Sequence, residues 1–365
     1  MNTQIITLRS DDPRLNFALS SGWLTEDRRR LGGERVIARQ VIEDVGNHSV
    51  KTVVFERIEQ RVARPGGVGP WLRVIRAFSL TATATPWIAV VAWSWRERAA
   101  ARGLVGLCAL LGAVCLQIAI NLFNDVEDYR RLIDLPGTLG GSGVIQSGWR
   151  TPAELKKIAV IALLVGAALG LPAIYRGSSV LLWIGATAAL SVLLYSGKQF
   201  GLKYIALGDL AVWLLCGPLL VTGFYLSIFD FWNSGALWIG SFFGFLAVGI
   251  LHVNNLQDMK LDHRRGMTTL AILLGFRGSL QFLYFTYFAA IASIVAGVWL
   301  QQLSVFALGG AALTAFFSAP WLKSVGSSLG PESSKLSNCR IKAAQIHLLS
   351  GIGLILSLAL GNLVQ

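Results

Sequence analysis

The sequence has few charged residues and few of the side chains that usually build disulfide or zinc sites. Only 14% of its 365 residues are charged, whereas a soluble domain typically carries about 25%. This argues against an ordinary soluble enzyme, a disordered protein and a nucleic-acid-binding protein. The four cysteines show no paired spacing, which argues against a disulfide scaffold and a zinc site. Since 54% of the residues are apolar and the mean hydropathy is +0.58, the composition indicates a polytopic helical membrane protein.

Charge is concentrated near the N-terminus. Residues 1–70 hold 11 basic and 9 acidic side chains. The first long apolar run begins near Val74, too far along the chain for a secretory signal. We therefore predict a cytoplasmic N-terminal extension over 1–70 and a transmembrane domain over 71–365. The extension is expected to be a partly ordered tail, and its basic cluster, Arg28 to Arg30, leaves binding to lipid headgroups as an alternative.

Nine segments are apolar and long enough to cross a bilayer, which takes about 20 residues as a helix. The predicted fold is therefore all-α, a polytopic bundle of nine transmembrane helices. The odd number places the two termini on opposite sides of the membrane. The segments are 74–95, 103–125, 158–175, 178–196, 205–228, 235–257, 278–299, 303–322 and 343–363.

The distribution of basic residues predicts the orientation of these spans. With the N-terminus inside, the outside loops carry only four of the 32 lysines and arginines, namely Arg96, Arg98, Arg102 and Arg176. This asymmetry follows the positive-inside rule. We expect a multi-pass protein of the cytoplasmic (inner) membrane, if the source is prokaryotic. Contact of the inside loops with anionic lipids accounts for the net charge of +12, so no nucleic-acid partner is needed.

Two acidic clusters lie at the predicted cytoplasmic ends of apolar spans. The first reads AINLFNDVEDYRRLID from Ala119, and the second reads LHVNNLQDMKLDHRRGMTTLAILL from Leu251. An α-helix advances about 100° per residue, so each cluster forms one polar stripe of amides and carboxylates. Asp134 is expected in the loop after the first stripe, where it can fold back. The stripes comprise Asn121, Asn124, Asp125 and Asp128 on one helix and Asn254, Asn255, Asp258 and Asp262 on the other.

Carboxylates at membrane depth are costly and usually face a cavity. Two of them about 5 Å apart repel by roughly 3 kcal/mol at an effective dielectric near 20, so two facing clusters need a cation between them. Oxygen ligands without histidine or thiolate favour Mg²⁺, which also binds phosphate oxygens. A diphosphate is therefore the expected ligand. The predicted metal ligands are Asp125, Asp128, Asp134, Asp258 and Asp262.

Two alternatives remain for these clusters. They are also consistent with polar caps at the ends of two helices, or with a proton or cation pathway. A pathway usually has its acids near the middle of a span, whereas both clusters lie at one surface.

Basic and polar side chains on the same side could bind the diphosphate. Lys203 is the preferred candidate because Tyr204 and Asp209 are close in sequence, and Asp209 falls inside an apolar span, where an acid without a function is improbable. The predicted catalytic residues are Asp128, Asp258, Lys203 and Asp209. The predicted diphosphate-binding residues are Asn124, Tyr195, Lys198, Arg130, Asn255 and Arg264, although a plain positive-inside role is open for each basic one. The run Gly140 to Gly143 is either a flexible loop or a source of backbone amides for a phosphate.

At these residues the sequence resembles the UbiA superfamily of intramembrane prenyltransferases, and within it the MenA branch that makes menaquinone precursors. The first cluster is similar to the motif N-x-x-N-D-x-x-D-x-x-x-G-x-D, and the second to N-N-x-R-D-x-x-x-D-x-x-x-G-x-x-T-L-A. The stretch from Lys203 to Asp209 and the later Gly217-Pro218 also resemble this branch. The chain departs from the motifs at Leu132, where the branch often has glycine, and at Gln257, where it has arginine.

The resemblance implies a helix bundle around a central cavity and a prenyltransferase domain over 71–365. It implies that an allylic polyprenyl diphosphate binds through Mg²⁺ to both acidic motifs, and that the prenyl group is transferred to an aromatic acceptor. In the MenA branch the acceptor is 1,4-dihydroxy-2-naphthoate, whose carboxylate is replaced.

Several other functions remain open from the sequence. Within the enzymes, the acceptor could be homogentisate, 4-hydroxybenzoate or a chlorophyllide, or the protein could be a membrane terpene cyclase. Outside them, it could be a cation-coupled transporter, although the flanking spans show no convincing internal repeat. A non-catalytic scaffold would be expected to have lost the metal-binding acids, and all of them are present.

Overall fold

The computed structural model describes residues 4–26, 35–43, 51–58, 65–95, 101–136, 141–195, 197 and 201–364. These residues form two compact units. One lies within Met1–Ala77 and Ile118–Leu163, and the other lies within Phe78–Gln117 and Leu164–Gln365. The predicted division of the chain at residue 70 stays a prediction.

The N-terminal region contains a folded β-sheet, where the sequence led us to expect a partly ordered tail. Strands β1 (Ile5–Arg9), β2 (Arg35–Glu43) and β3 (Lys51–Ile58) form an antiparallel sheet in the order β1-β3-β2. Helix α1 (Pro13–Ser21) begins after Asp12, whose carboxylate accepts a hydrogen bond from the Arg14 backbone amide at 2.8 Å. The all-α prediction therefore holds for the membrane helices but not for this region.

The sheet has a buried face because apolar residues alternate along the central strand. In β3, Val53 and Phe55 are completely buried, as the two-residue period of a strand requires. They join a cluster that includes Leu122 and Val126 from the helix Gly103–Arg130 and Leu155 from the helix Pro152–Arg176. The sheet thus belongs to the same core as the helix end that carries the first acidic motif.

The rest of the structure is helical. A short helix, α2 (Val68–Val74), precedes α3 (Thr81–Trp93), and nine further α-helices follow in the described part of the chain. Their bounds are α4 (Gly103–Arg130), α5 (Pro152–Arg176), α6 (Ser179–Tyr195), α7 (Gly208–Cys216), α8 (Pro218–Phe229), α9 (Gly235–Arg264), α10 (Leu270–Trp299), α11 (Leu308–Gly326) and α12 (Cys339–Val364).

Each of the nine predicted spans corresponds to apolar helix, but three differ from a simple crossing. Among the described residues, seven helical segments are long and apolar enough to cross a membrane. The first predicted span is a pair, Val68–Val74 and Ala77–Trp93, bent by 63°, and the fourth, α6, has only 17 residues. The fifth is divided into α7 and α8 at Gly217-Pro218, because proline lacks the amide hydrogen that would continue the helix.

Helix α9 is central to the second unit, where it packs against α7, α8, α10 and α12. Its glycines at 240 and 244 permit a close approach to the break between α7 and α8. A Cβ atom on Gly240 would lie 2.7 Å from the Cα of Pro218, and one on Gly244 would lie 2.5 Å from the Trp213 carbonyl. Small residues four apart allow such contact between membrane helices.

Large apolar side chains are exposed on the outer faces of the helices. Leu164 is 64% exposed, Trp183 71% and Phe288 70%. Soluble monomers rarely expose extended apolar surfaces, so these faces are suited to contact with lipid. The chain is a multi-pass integral membrane protein.

Candidate active site

The first acidic motif lies at the C-terminal end of α4 and in the turn that follows. Asp125, Asp128 and Asp134 are all buried. The guanidinium of Arg76 forms an ion pair with Asp125 and interacts electrostatically with Asp128 and Asp134. Three carboxylates therefore surround one cation, and Asp134 folds back toward the helix end as expected.

The glycine-containing loop contributes to this cluster directly. The amide of Ser142 donates a hydrogen bond to Asp125 Oδ2 at 3.2 Å. Gly141 has φ +66°, and a Cβ atom there would lie 2.6 Å from Asp134 Oδ2. The loop therefore brings a backbone amide to a carboxylate of the motif, whereas the sequence left open a flexible loop or backbone amides directed at a phosphate. Gly140 lies outside the described residues.

The N-terminal sheet supports the same helix end. The amide of Ala38 in β2 donates a hydrogen bond to the Tyr129 hydroxyl at 2.8 Å, and Tyr129 directly follows Asp128 in the sequence. From the sheet, Arg39 donates to the Gln146 carbonyl at 3.1 Å, and Gln146 in turn donates to the Asp134 carbonyl at 2.9 Å. Residues of the extension thus contact the Tyr129 side chain directly and the Asp134 backbone through Gln146.

The second acidic motif lies at the C-terminal end of α9. Asn255 and Asp262 are buried, while the Asp258 side chain is 29% exposed. Arg340 donates from Nη2 to Asp258 Oδ2 at 2.8 Å. Lys203 and Arg265 are further cations that interact with this carboxylate. The structure therefore brings Lys203 and Asp258 together, as two of the predicted catalytic residues.

Asp209 is buried in the first turn of α7, and its partner is a histidine. His252 Nδ1 lies 2.9 Å from Asp209 Oδ1, and the His252 ring lies 4.6 Å from the Phe282 ring. His252 is completely buried, and its Nε2 has no hydrogen-bond partner among the described residues. An acid inside an apolar span thus has a polar partner within the protein.

The other predicted diphosphate-binding residues occupy different settings. Arg130 forms an ion pair with Glu127 on its own helix at 2.8 Å. Tyr195 ends α6, Arg264 ends α9, and the Lys203 ammonium lies 5.7 Å from the centre of the Tyr204 ring. Asn124 is buried on α4 beside Asp125. Lys198 lies outside the described residues.

Sequence reasoning missed Arg76 and Arg340 as cations of the two motifs. Arg76 lies in the opening turn of the first predicted span, 74–95, where the sequence suggests only a positive-inside role. Arg340 lies in the predicted cytoplasmic loop 323–342, 82 positions from Asp258. Neither pairing has a local sequence signal, because each joins segments that are distant along the chain.

The chemistry of the donors fits a hard divalent cation. Within the described ranges, no group of three or more histidine, cysteine, aspartate or glutamate side chains is arranged to hold a metal ion. The acids of the first motif are nevertheless gathered around a positive charge, and all of their donor atoms are oxygen. Oxygen donors are the ligands that Mg²⁺ prefers.

Comparison with known proteins identifies relatives of this chain. Residues 84–333 match the profile of the UbiA prenyltransferase family, a narrower stretch than the predicted resemblance from Trp71 to the C-terminus. A 1,4-dihydroxy-2-naphthoate octaprenyltransferase of Escherichia coli is 28% identical over 223 residues, which cover 60% of this chain and 71% of that protein.

A second relative is the UbiA prenyltransferase domain-containing protein 1 of Dictyostelium discoideum. It is 30% identical over 208 residues, which cover 55% of this chain. The chain spans 63% of the length of that protein.

Solved structures share the fold. A UbiA homologue from Archaeoglobus fulgidus bound to GPP and Mg²⁺ superposes with a TM-score of 0.54 at 15% identity, covering 78% of this chain and 99% of that one. A digeranylgeranylglyceryl phosphate synthase gives a TM-score of 0.57 at 19% identity, covering 79% of this chain and 97% of that one.

Proposed function

Since the chain belongs to the UbiA prenyltransferase family, we propose that it transfers an isoprenyl group from an allylic polyprenyl diphosphate to an aromatic acceptor. The proposed acceptor is 1,4-dihydroxy-2-naphthoate, as in the names of several relatives. The observation that carries the proposal is the pairing of each acidic motif with cations of its own unit: Arg76 at the first, and Arg340 with Lys203 at the second. Carboxylates beside arginine or lysine suit a diphosphate with bound metal, because the carboxylates can bind the metal and the basic side chains can bind the phosphate oxygens.

The proposed metal ligands are the five aspartates of the two motifs. Mg²⁺ held there would neutralise the diphosphate and stabilise its departure. Asp125, Asp128 and Asp134 would supply oxygen atoms from the first motif, and Asp258 and Asp262 would supply them from the second. Removing any one of the acids that contact the metal would weaken both binding and catalysis.

The cations of the chain would act on the leaving group. As the bond between the allylic carbon and the diphosphate oxygen breaks, Lys203 would donate to the departing oxygens and stabilise the developing charge. Tyr195, Lys198, Arg130 and Arg264 are proposed as further donors. Asn124, Asn255 and Asp209 are proposed to orient these groups.

The remaining steps require a site that excludes water. The electron-rich ring of the acceptor attacks the allylic cation and forms the new carbon–carbon bond. The ring then loses its carboxylate as CO₂, which restores aromaticity. The apolar tail of the polyprenyl diphosphate explains why the enzyme lies in a membrane, because each CH₂ group that leaves water for lipid contributes about 0.8 kcal/mol.

We propose that the site faces the cytoplasm, at the cytoplasmic membrane if the source is prokaryotic. Both motifs end their helices on the side that the basic loops mark as inside. The polyprenyl diphosphate, the aromatic acceptor and the bilayer are then the partners of the protein.

Product analysis tests the proposal. Purified protein in lipid receives labelled prenyl diphosphates of several lengths with dihydroxynaphthoate, homogentisate or 4-hydroxybenzoate, and products are identified by mass spectrometry. We expect prenylated, decarboxylated naphthoate, and EDTA should abolish it until Mg²⁺ is restored. If only homogentisate or 4-hydroxybenzoate gave a prenylated product, the proposed acceptor would be wrong. Cation flux without any product would support a transporter.

Variants test the role of the acids. Asp128→Ala and Asp258→Ala should lower turnover by at least about 100-fold, as expected for a metal contact. Asp230→Asn is the matched control, because Asp230 pairs with Arg102 at the end of α8 and lies in neither motif. Rates like those of the unmodified protein in folded Asp128→Ala would refute the metal assignment.

A further inference from the structure

The second acidic motif has no arginine of its own beside Asp258. Gln257 stands where the resembling motif has arginine, and its Nε2 donates a hydrogen bond to the Leu336 carbonyl. Leu336 is buried in the turn Ser334–Leu336. The other amide atom, Gln257 Oε1, is buried and accepts no hydrogen bond from a described residue. Gln257 therefore fixes the turn before α12 and cannot supply a positive charge.

That turn leads directly to a guanidinium at the motif. Arg340 is the second residue of α12, and its Nη2 lies 2.8 Å from Asp258 Oδ2. A cation in the first turn of a helix is disfavoured by the helix dipole, so its position is better explained by the carboxylate than by the helix. About a quarter of each side chain is exposed, at 26% for Arg340 and 29% for Asp258. The contact is therefore less screened than a pair on an open surface.

Arg340 donates to one oxygen of the Asp258 carboxylate, Oδ2. A charge-assisted hydrogen bond to one oxygen restricts the rotation of the carboxylate. The other oxygen then keeps a fixed direction in which a cation can approach.

We propose that Arg340 replaces the arginine missing at position 257 and acts as the positioning residue of Asp258. Gln257 contributes by holding the turn that delivers Arg340. The proposal rests on the proposed function, because it assigns Asp258 to the binding of a metal-bound diphosphate. It also makes the beginning of α12 part of the second motif in this chain.

The expected effect is on the binding of the metal-bound diphosphate. A hydrogen bond between charged groups, once lost, lowers kcat/KM for the prenyl diphosphate by about 10- to 100-fold. We expect the Mg²⁺ concentration for half-maximal activity to rise together with KM. Arg340→Lys keeps the charge without the planar fork and should lie between the unmodified protein and Arg340→Gln.

The decisive variant moves the guanidinium back. Gln257→Arg combined with Arg340→Gln should recover part of the activity lost in Arg340→Gln alone. Lys342→Gln is the matched control, because Lys342 is an exposed base in the same turn of α12. A second readout needs no turnover: the rise in Tm that Mg²⁺ with inorganic pyrophosphate produces should shrink in Arg340→Gln and not in Lys342→Gln.

The two readouts separate the possible failures. If the unmodified protein transfers no prenyl group, the proposed function fails, and the Tm shift alone decides the role of Arg340. If the unmodified protein is active but Arg340→Gln matches Lys342→Gln in both readouts, Arg340 has no positioning role. A folded double variant that recovers neither readout would refute the replacement of position 257. Should Arg340→Gln not fold, Arg340→Lys compared with Lys342→Gln gives the same decision.

Discussion

The hydroxyl of Tyr129 joins the N-terminal sheet to the helix end of the first motif, and its removal gives a sharp prediction. Tyr129 and Ala38 are both completely buried, and the Ala38 amide donates to the Tyr129 hydroxyl at 2.8 Å. Tyr129→Phe keeps the ring but leaves that amide buried without its acceptor. A buried donor that loses its partner costs about 1–3 kcal/mol.

This cost should appear as faster opening of the sheet. Free energies of 1–3 kcal/mol correspond to about a 5- to 150-fold larger opening constant, so the amides of β2 should exchange with deuterium faster by that factor in Tyr129→Phe. Tyr129→Ala should cost more, about 3–5 kcal/mol, because it also leaves a cavity. Hydrogen–deuterium exchange with mass spectrometry measures both variants in lipid nanodiscs.

The control is a tyrosine without such a contact. Tyr175 on α5 is 90% exposed, so Tyr175→Phe should leave the exchange of β2 unchanged. If Tyr129→Phe and Tyr175→Phe exchange at the same rate in β2, the hydroxyl does not hold the sheet to α4, and the reasoning fails.

Three further predictions follow from single contacts. Gly141→Ala should destabilise the first unit by about 1–2 kcal/mol because of its positive φ, and it should lower turnover because the added methyl group meets the nearby Asp134 carboxylate. Gly170→Ala is the control, because Gly170 has an open helical position, and it should be neutral or stabilising. Measurements of Tm and turnover test both variants. The hydrogen bond from Lys260 lowers the pKa of Glu332 from its usual 4.5. This pair should therefore stabilise its loop above about pH 4.5 and lose that contribution as the pH falls through the lowered pKa. Hydrogen–deuterium exchange of the loop should show this pH dependence in the unmodified protein and lack it in Glu332→Gln. His252→Phe should lower the free energy of unfolding by about 3–5 kcal/mol, because it leaves the buried Asp209 carboxylate without its partner. This loss should appear as a lower Tm, and an unchanged Tm would contradict the prediction.

The sequence was sufficient to predict the helical framework and the placement of the motifs. Apolar runs of about 20 residues predict helices because a bilayer leaves few other structures for the backbone. The polar stripes of α4 and α9 follow from helical periodicity alone. Asp134 also lies near Asp125, as its place after the helix suggested.

The parts that were missed depend on pairing between distant residues. The sheet was not expected because its short apolar stretches are separated by charged residues, and β1 pairs with β3 across more than 40 positions. Arg340 pairs with Asp258 across 82 positions, so the contact has no local signal in the sequence. The sequence identifies Gly217-Pro218 only as part of the resemblance. The structure shows that it divides a predicted span into α7 and α8, because proline lacks the amide hydrogen that would continue the helix.

The contact between the sheet and the end of α4 also constrains how the polypeptide threads the bilayer. The sheet must be on the same face of the membrane as Tyr129, while α4, as a full crossing, starts on the other face at Gly103. We therefore predict that the bent pair Val68–Val74 and Ala77–Trp93, which lies between them in the sequence, crosses the membrane as a broken span and does not form a re-entrant loop. An epitope fused before β1 would report, by protease accessibility in sealed vesicles, which compartment the first acidic motif faces.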